Sequence, residues 1–369
     1  MLISPGELTY VPILTVRPAE MVALRELPDL AKDRILPHII LRPWLNSNEL
    51  KKSIDKIRHA YSKRPWIIEL DDDIDHASES PAWQEMRSLQ DPSKGFANWI
   101  RFVSRIDDVA IPALQVSGDS TAVEKQIVAV KELGRGAVVR FPVHAFHAIP
   151  MFVDFLYQSN YDEVLFILDF GQTDSRILTQ YITAKAQCDA ITARFPEASI
   201  VISATTFPFE FAEVNKQAIF EREFFSEMVR QNPSAKLIYS DRGSARAERL
   251  GGGGTPMPRI DLPSSTAWSF FREEVGQIVF GKRKVTAEQR EAGYQSAAER
   301  AIADAVWDPK LNIWGTQLIK LTQIGASYAI NAPVRATAAR INIHLFRQAF
   351  FGYDGDINKL TEDDWSDDL

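Results

Sequence analysis

Eight short apolar runs recur between residues 9 and 241, and most of them end in a polar residue or a turn-forming residue. Segments between the runs have the amphipathic spacing of helices. This alternation of buried strand and helix predicts a parallel α/β fold, and eight repeats of roughly 30–40 residues favour a closed (β/α)8 TIM-like barrel over an open sheet. The runs are Tyr10–Val16, Leu36–Arg42, Trp66–Asp71, Ile111–Ser117, Ala137–Phe141, Val164–Asp169, Ser199–Thr205 and Leu237–Asp241.

The pattern changes after Asp241, which predicts a C-terminal, mainly helical extension. We expect the barrel to occupy residues 1–245, and a glycine-rich loop with short strands to occupy residues 246–284. Residues 285–369 are expected to form helices that pack on the barrel and to end in a short acidic tail. The three helices are predicted over residues 286–306, 314–329 and 333–351, and Pro333 suits the first turn of the last one.

Composition excludes several classes of protein. The net charge of −7 argues against a protein that coats nucleic acid. Cys188 is the only cysteine, so neither an internal disulfide nor a cysteine metal site can form. We find no signal peptide, no apolar segment long enough to span a membrane, and no phosphate-loop, dinucleotide-binding, zinc-protease or serine-hydrolase motif. We therefore expect a cytoplasmic protein with no membrane partner.

Charged residues gather at the ends of the predicted strands, where barrel enzymes place their active sites. The candidate catalytic residues are Asp71, Arg140, Asp169 and Asp241, and the candidate ligand-binding residues are Arg42, Glu69, Gln115, Thr205 and Arg242. Arg140 and Asp169 end consecutive strands, which are usually neighbours, so we expect these two side chains to contact each other.

Two interpretations of this charged set remain open. In the first, the carboxylates hold a hard cation and Arg42 and Arg140 bind a phosphate. In the second, arginines and carboxylates form a closed salt-bridge network that binds nothing, because buried charges must be paired. No cofactor can be assigned from the sequence, and Mg²⁺ or Mn²⁺ is expected only under the first interpretation.

Three arginines recur along the last predicted helix, at Arg335, Arg340 and Arg347. Arg340 and Arg347 share a helix face with His344. This basic stripe could contact a nucleic-acid backbone, but we favour pairing with acidic groups on the surface of the barrel.

Several strings in the chain resemble those of the beta protein family of temperate phages, satellite phages and bacterial genomic islands. They are YVPILTVRPAEMVALREL, ILPHIILRPW, ILDFG, SATTFP, NIWG at Asn312–Gly315 and RINIHLFRQ at Arg340–Gln348. Two places depart from the pattern that we associate with the family, Leu41-Arg42 at the second strand and YSDRGS in the eighth repeat. The resemblance covers about Tyr10 to Gln348 and brings no established catalytic residues.

The resemblance implies a role in a mobile element. Phage members of the family lie beside a growth-inhibiting protein, in loci linked to exclusion of other phages. We therefore expect a partner-binding barrel protein of a phage-defence or toxin-control system, with a protein partner encoded nearby. The alternative is a metal-dependent phosphoester hydrolase in which Asp71, Asp169 and Asp241 hold the metal and Arg140 stabilises the transition state.

Overall fold

The structure, a computed structural model, describes residues 8–211, 213–247, 256–279 and 282–361. Gly251–Gly254, within the predicted glycine-rich loop, and most of the acidic tail lie outside the described residues. The chain divides into two compact units. Unit 1 comprises the described parts of Met1–Arg17, Arg34–Thr206 and Phe220–Arg242, and unit 2 those of Pro18–Asp33, Phe207–Ile219 and Gly243–Leu369.

All eight apolar runs contain or overlap a strand. In chain order the strands of the described residues are β1 (Ile13–Thr15), β2 (His38–Leu41), β3 (Trp66–Leu70), β4 (Ala110–Pro112), β5 (Ala137–Pro142), β6 (Val164–Gln172), β7 (Ser199–Thr205), β8 (Lys216–Ala218), β9 (Lys236–Ser240), β10 (Arg259–Pro263), β11 (Ala267–Arg272), β12 (Gln277–Val279) and β13 (Lys282–Lys284). Of these, β8 and β10–β13 belong to unit 2, and the other eight are the predicted strands.

The amphipathic segments form helices. They are α1 (Pro18–Arg25), α2 (Asp29–Lys32), α3 (Lys51–Tyr61), α4 (Pro81–Leu89), α5 (Ala97–Ser104), α6 (Ser120–Glu132), α7 (Ile149–Gln158), α8 (Tyr181–Thr192), α9 (Phe220–Gln231), α10 (Ala287–Ala303), α11 (Trp314–Gln323) and α12 (Pro333–Ala349). Short 3-10 turns cover Val143–Ala148, Ser175–Thr179 and Ile357–Leu360. None of the described helices is long and apolar enough to cross a membrane.

The predicted parallel α/β fold is confirmed. Unit 1 holds two four-stranded parallel sheets, in the orders β1-β2-β3-β4 and β5-β6-β7-β9. Isolated bridges join strands of the two sheets, with Leu114 N donating to Val138 O at 2.8 Å and Val11 N to Tyr239 O at 2.9 Å. The strands of the described residues form two sheets and not one closed sheet, so the predicted barrel is not confirmed.

The two faces of these sheets carry different apolar clusters. One face holds the cluster of Val11, Ile13, Leu36, Ile40, Ile67, Ile111, Ala113, Val138, Leu165, Ile167, Val201 and Ile238, which we call the inner face. The other face of the β5-β6-β7-β9 sheet packs against helices of unit 1 through a larger cluster, which includes Val139, Phe166 and Ile202. Side chains alternate along a strand, so the parity of a residue number within each strand decides its face.

Unit 2 combines helices with an antiparallel sheet of order β10-β11-β8. The three predicted C-terminal helices are confirmed as α10, α11 and α12, and Pro333 is the first residue of α12. Asn342 connects three parts of this unit, because its Nδ2 donates to Ala23 O at 3.1 Å and its Oδ1 accepts from Gly315 N at 3.0 Å. The strings NIWG and RINIHLFRQ therefore meet at one helix contact.

Candidate functional site

A charged cluster lies on the inner face of unit 1. Six of its residues lie towards or just beyond the carboxyl ends of the strands, and the seventh, His38, is the first residue of β2. We call the whole set the carboxyl-end cluster, and it consists of His38, Arg42, Glu69, Asp71, Arg140, Asp169 and Arg242. Its members share the parity of the inner apolar residues Ile40, Ile67, Val138, Ile167 and Ile238. Six of the seven are buried, and only about an eighth of the Arg242 side chain is exposed.

Arg140 contacts three carboxylates. Its Nε lies 2.9 Å from both oxygens of Glu69, and its Nη2 lies 2.6 Å from Glu69 Oε1. Its Nη1 donates to Asp169 Oδ2 at 2.9 Å, which confirms the predicted contact. Nη2 also donates to the exposed Asp72 at 2.9 Å. This fork geometry uses the planar donor set that distinguishes arginine from lysine.

The remaining acids of the cluster are engaged in the same way. Arg42 Nη1 lies 3.0 Å from Asp71 Oδ2, and Arg242 Nη2 lies 2.5 Å from Asp169 Oδ2. His38 Nε2 lies 2.6 Å from Glu69 Oε2. Each of the three buried carboxylates therefore has at least one guanidinium partner.

Burial and pairing act in opposite directions on these groups. Burial would raise the pKa of Glu69, but Arg140 and His38 outweigh it and lower that pKa to about 2. For Asp169, burial is again outweighed, by Arg242 and Arg140, and the pKa is lowered. Burial lowers the pKa of His38 in spite of Glu69, and it raises the pKa of Asp71 in spite of Arg42. Ion pairing thus keeps Glu69 and Asp169 charged, while His38 is neutral at pH 7.

The backbone of β6 helps to aim Asp169. The strand continues to Gln172, three residues beyond the predicted run, with an irregular register between Asp169 and Gln172. Gly171 has a φ of 65°, a conformation that glycine adopts without strain, and its N–H donates to Asp169 Oδ1 at 3.0 Å. Asp169 is therefore fixed by its own strand and by two arginines.

Three predicted residues do not join the ion pairs described here. Asp241 has the opposite parity to Arg242 and accepts hydrogen bonds from the hydroxyls of Tyr10 and Tyr239, so it does not converge with Asp71 and Asp169 as predicted. Gln115 uses its backbone N–H and carbonyl to bind the side chain of Gln126. Thr205 is buried near the end of β7, and its carbonyl accepts from Thr173 N at 2.9 Å.

Asp241 belongs to a second buried group, which the sequence analysis missed. Thr206 donates its hydroxyl to Glu221, and burial, reinforced by Asp241, raises the pKa of Glu221 to about 8. The Arg222 guanidinium lies 3.2 Å from the centroid of the Tyr239 ring. We call Tyr10, Thr206, Glu221, Arg222, Tyr239 and Asp241 the outer-face polar group.

Sequence reasoning also missed His38 and Asp72. His38 is two residues before Ile40 in β2, so the alternation of side chains could have placed it beside the candidate acids. Asp72 could not be distinguished by sequence from the other acids of the loop after β3. Among the residues that the structure describes, no group of three or more His, Cys, Asp or Glu side chains could hold a metal ion.

The arginines of the last helix contact groups of unit 2, so the expected pairing with acidic groups on the barrel surface is wrong for the contacts described here. Arg340 is buried and lies 2.5 Å from Asp261 Oδ2, and Arg347 lies 3.7 Å from Asp308 Oδ2. Arg335 donates to the carbonyl of Tyr328 at 2.8 Å. The stripe thus serves contacts inside its own unit.

Comparison with known proteins gives two matches that cover nearly the whole chain. The family model described as Beta protein matches residues 10–350. The sequence is 27% identical over 350 residues to "Protein beta" of Enterobacteria phage P4, and the match covers 92% of each protein.

Proposed function

This chain belongs to the Beta protein family, and we propose that it acts by binding a partner protein in a phage-defence or toxin-control system of a mobile element. The phage origin of its relative supports the link to a mobile element. The partner that we propose is a growth-inhibiting protein encoded beside its gene. The alternative remains a metal-dependent phosphoester hydrolase.

One observation favours partner binding over hydrolysis at the carboxyl-end cluster. Glu69, Asp71 and Asp169 are already ion-paired with guanidinium groups, with nitrogen–oxygen distances of 2.5–3.0 Å. A divalent cation bound there would lie next to Arg140 or Arg42, and like charges a few ångströms apart in a buried site repel strongly. The cluster is suited to holding the strand ends together, which leaves other surfaces of the protein for recognition.

We further infer that the eight strands of unit 1 close into a (β/α)8 barrel. Backbone hydrogen bonds between β-strand regions of the two sheets support this, one at Leu114–Val138 and two at Val11–Tyr239 and Ile13–Asp241. The shared inner apolar cluster, which draws on all eight strand segments, supports it as well. In such a barrel the carboxyl-end cluster would fill the mouth.

Partner binding is tested by co-expression with the product of the adjacent open reading frame. If the proposal holds, the neighbour alone should inhibit growth, co-expression should restore it, and the two proteins should co-purify. A matched control is the same chain with Asp261→Ala, which removes the partner of Arg340 and should unfold unit 2. Restored growth without any physical association would contradict the proposal.

The hydrolase alternative is tested by a thermal scan with and without millimolar Mg²⁺ or Mn²⁺. A ligand that binds only the native state raises the melting temperature. We expect no shift, either for the parent protein or for the Asp71→Asn/Asp169→Asn double variant. A metal-dependent shift in the parent that is lost in the double variant would favour the hydrolase.

A further inference from the structure

A groove of about 600 Å³ lies on unit 1, with α3, α4 and α5 around it. Leu50, Ile54 and Leu89 line it and are buried, so they form its apolar floor. Phe102 and Ile106 also line it and are partly exposed. A groove with an apolar floor of this size can accept several side chains of a bound segment.

Positive charge at the C-terminal end of α5 is the second feature of this groove. Arg101 and Arg105 line it, lie one helical turn apart and are exposed. Arg101 donates to the amide oxygen of Asn98 at 3.2 Å, and neither arginine pairs with an acidic side chain within the part of the chain that the structure describes. These two guanidinium groups can therefore bind carboxylates without breaking an existing ion pair.

The basic residues on the α3 side differ from those on α5. Arg58 binds Asp107 through its Nε at 2.6 Å, and Lys51 binds Asp55 at 2.8 Å. Their charges are already compensated. Among the described residues, the basic side chains of the groove without an acidic partner are thus those at the C-terminal end of α5. The chain as a whole carries a net charge of −7.

Two acidic residues, Glu49 and Glu85, also line the groove. Partial burial raises the pKa of Glu85. A carboxylate that loses contact with solvent is more easily protonated, but while it is ionised it repels an acidic ligand. Removing this charge should therefore strengthen the binding of an acidic segment and weaken the binding of a basic one.

We propose that this groove binds a segment of the partner protein in which acidic residues alternate with apolar ones. The inference rests on the proposed partner-binding function and names the surface that performs it. Apolar side chains of the segment would fill the floor, and its carboxylates would pair with Arg101 and Arg105 in the forked geometry that guanidinium groups favour.

The test measures fluorescence anisotropy of labelled peptides against the full chain. One probe alternates Glu with Leu, and its counterpart carries Lys in place of Glu. We expect the acidic probe to bind and the basic probe to bind at least about tenfold more weakly. Arg101→Glu/Arg105→Glu should weaken binding of the acidic probe by about tenfold or more, because the reversal replaces two attractive contacts with two repulsive ones. Glu85→Gln should tighten it severalfold.

A control variant separates the groove from overall charge. Arg176→Glu/Arg194→Glu makes the same change in net charge at exposed positions of unit 1 that do not line the groove, and it should bind the acidic probe like the parent. Unchanged melting temperatures show that the variants fold. Equal loss in both double variants, or equal binding of the two peptides, would overturn the proposal.

Two other occupants are tested in the same series. Binding of a single-stranded oligonucleotide that competes with the acidic probe would assign the groove to nucleic acid. Concentration-dependent dimerisation abolished by Arg101→Glu/Arg105→Glu would assign it to a second copy of the chain. Either result overturns the proposal.

The groove and the proposed function can fail separately. If the groove variant still restores growth and co-purifies with the neighbouring protein, the partner-binding function stands and the groove assignment is wrong. If the parent binds the acidic probe but neither restores growth nor co-purifies, the groove stands as a peptide site and the proposed partner is wrong.

Discussion

Arg140 contacts three carboxylates, with Glu69, Asp72 and Asp169 around one guanidinium. A buried guanidinium that loses a partner retains its desolvation cost, so the cluster depends on all its members. Pairing with guanidinium groups compensates the charges of the acids at the strand ends.

Removing the charge of Asp169 should destabilise unit 1 by about 3 kcal/mol. In the parent protein Arg140 and Arg242 both contact the buried carboxylate of Asp169, and the substitution Asp169→Asn removes its charge. Chemical denaturation at pH 7 measures the change in the free energy of unfolding. The control is Asp189→Asn, which removes an exposed acid paired with Lys185 and should cost less than about 1 kcal/mol. Equal stability of the two variants would show that the buried network contributes nothing.

Glu221 should make stability depend on pH. Its pKa is about 8 in the folded protein against 4.5 ordinarily, so the folded state holds the proton over that range while the unfolded state has lost it. Stability from this group is therefore complete below about pH 4.5, falls as the pH rises towards 8, and stays reduced above it, at up to about 1.4 kcal/mol per pH unit.

The variant Glu221→Gln cannot ionise and should escape this loss. The free energy of unfolding of the variant minus that of the parent should be distinctly larger at pH 8.5 than at pH 5. Denaturant unfolding at both pH values measures this difference. Glu223→Gln changes an exposed acid on the same helix and should leave stability nearly unchanged at both. A pH-independent difference between Glu221→Gln and the parent would show that Glu221 is ionised in the folded state.

At the scale of elements, Gly315 lets α11 and α12 approach each other closely. A Cβ built on Gly315 would lie 2.7 Å from Ala339 O and 2.8 Å from Ile343 Cγ1, which is closer than real Cβ contacts. The glycine of NIWG and the asparagine of RINIHLFRQ are therefore explained by helix packing.

The substitution Gly315→Ala should therefore destabilise unit 2. Relieving the contact requires a helix shift, and overpacking of this kind costs about 1–3 kcal/mol. Denaturant unfolding should report this loss, which includes any weakening of the hydrogen bond from Gly315 N to Asn342 Oδ1. Gln323→Ala on the same helix, away from this contact, should change stability by less than about 0.5 kcal/mol. A neutral Gly315→Ala would show that the helices can separate at no cost.

At the scale of the whole molecule, the chain forms two compact units, and neither is a continuous stretch of sequence. Unit 2 takes α1 and α2 from the N-terminal part of the chain, and α1 packs against α12 in the same unit. Three parts of the sequence must come together for unit 2 to form, so its folding depends on contacts between distant residues.

Barrel closure in unit 1 is tested by hydrogen exchange of individual amides. The amides of Val11, Ile13 and Leu114 donate across the two sheets, so closure predicts protection comparable to that of Ile167 in the middle of β6. Exchange of the three amides at the rate of exposed loops, with Ile167 still protected, would indicate two open sheets.

The sequence alone determined the strands, the helices and much of the charged site. Apolar runs of four to eight residues and helical periodicity depend on local chemistry, so they could be read without a structure. Arg42, Glu69, Asp71, Arg140, Asp169 and Arg242 were identified because polar groups at the ends of parallel strands collect at one edge. The contact of Arg140 with Asp169 followed from the usual adjacency of consecutive strands.

Tertiary structure alone decided which charges are paired and which residues share a face. Asp241 and Arg242 are neighbours in sequence, yet alternation puts them on opposite faces, and only the register of β9 shows which faces the cluster. In the sequence, Arg340 looks like part of an exposed basic stripe. In the structure it is buried against Asp261, 79 residues away. Local sequence specifies an element, whereas pairing and burial depend on groups that the chain brings together only when it folds.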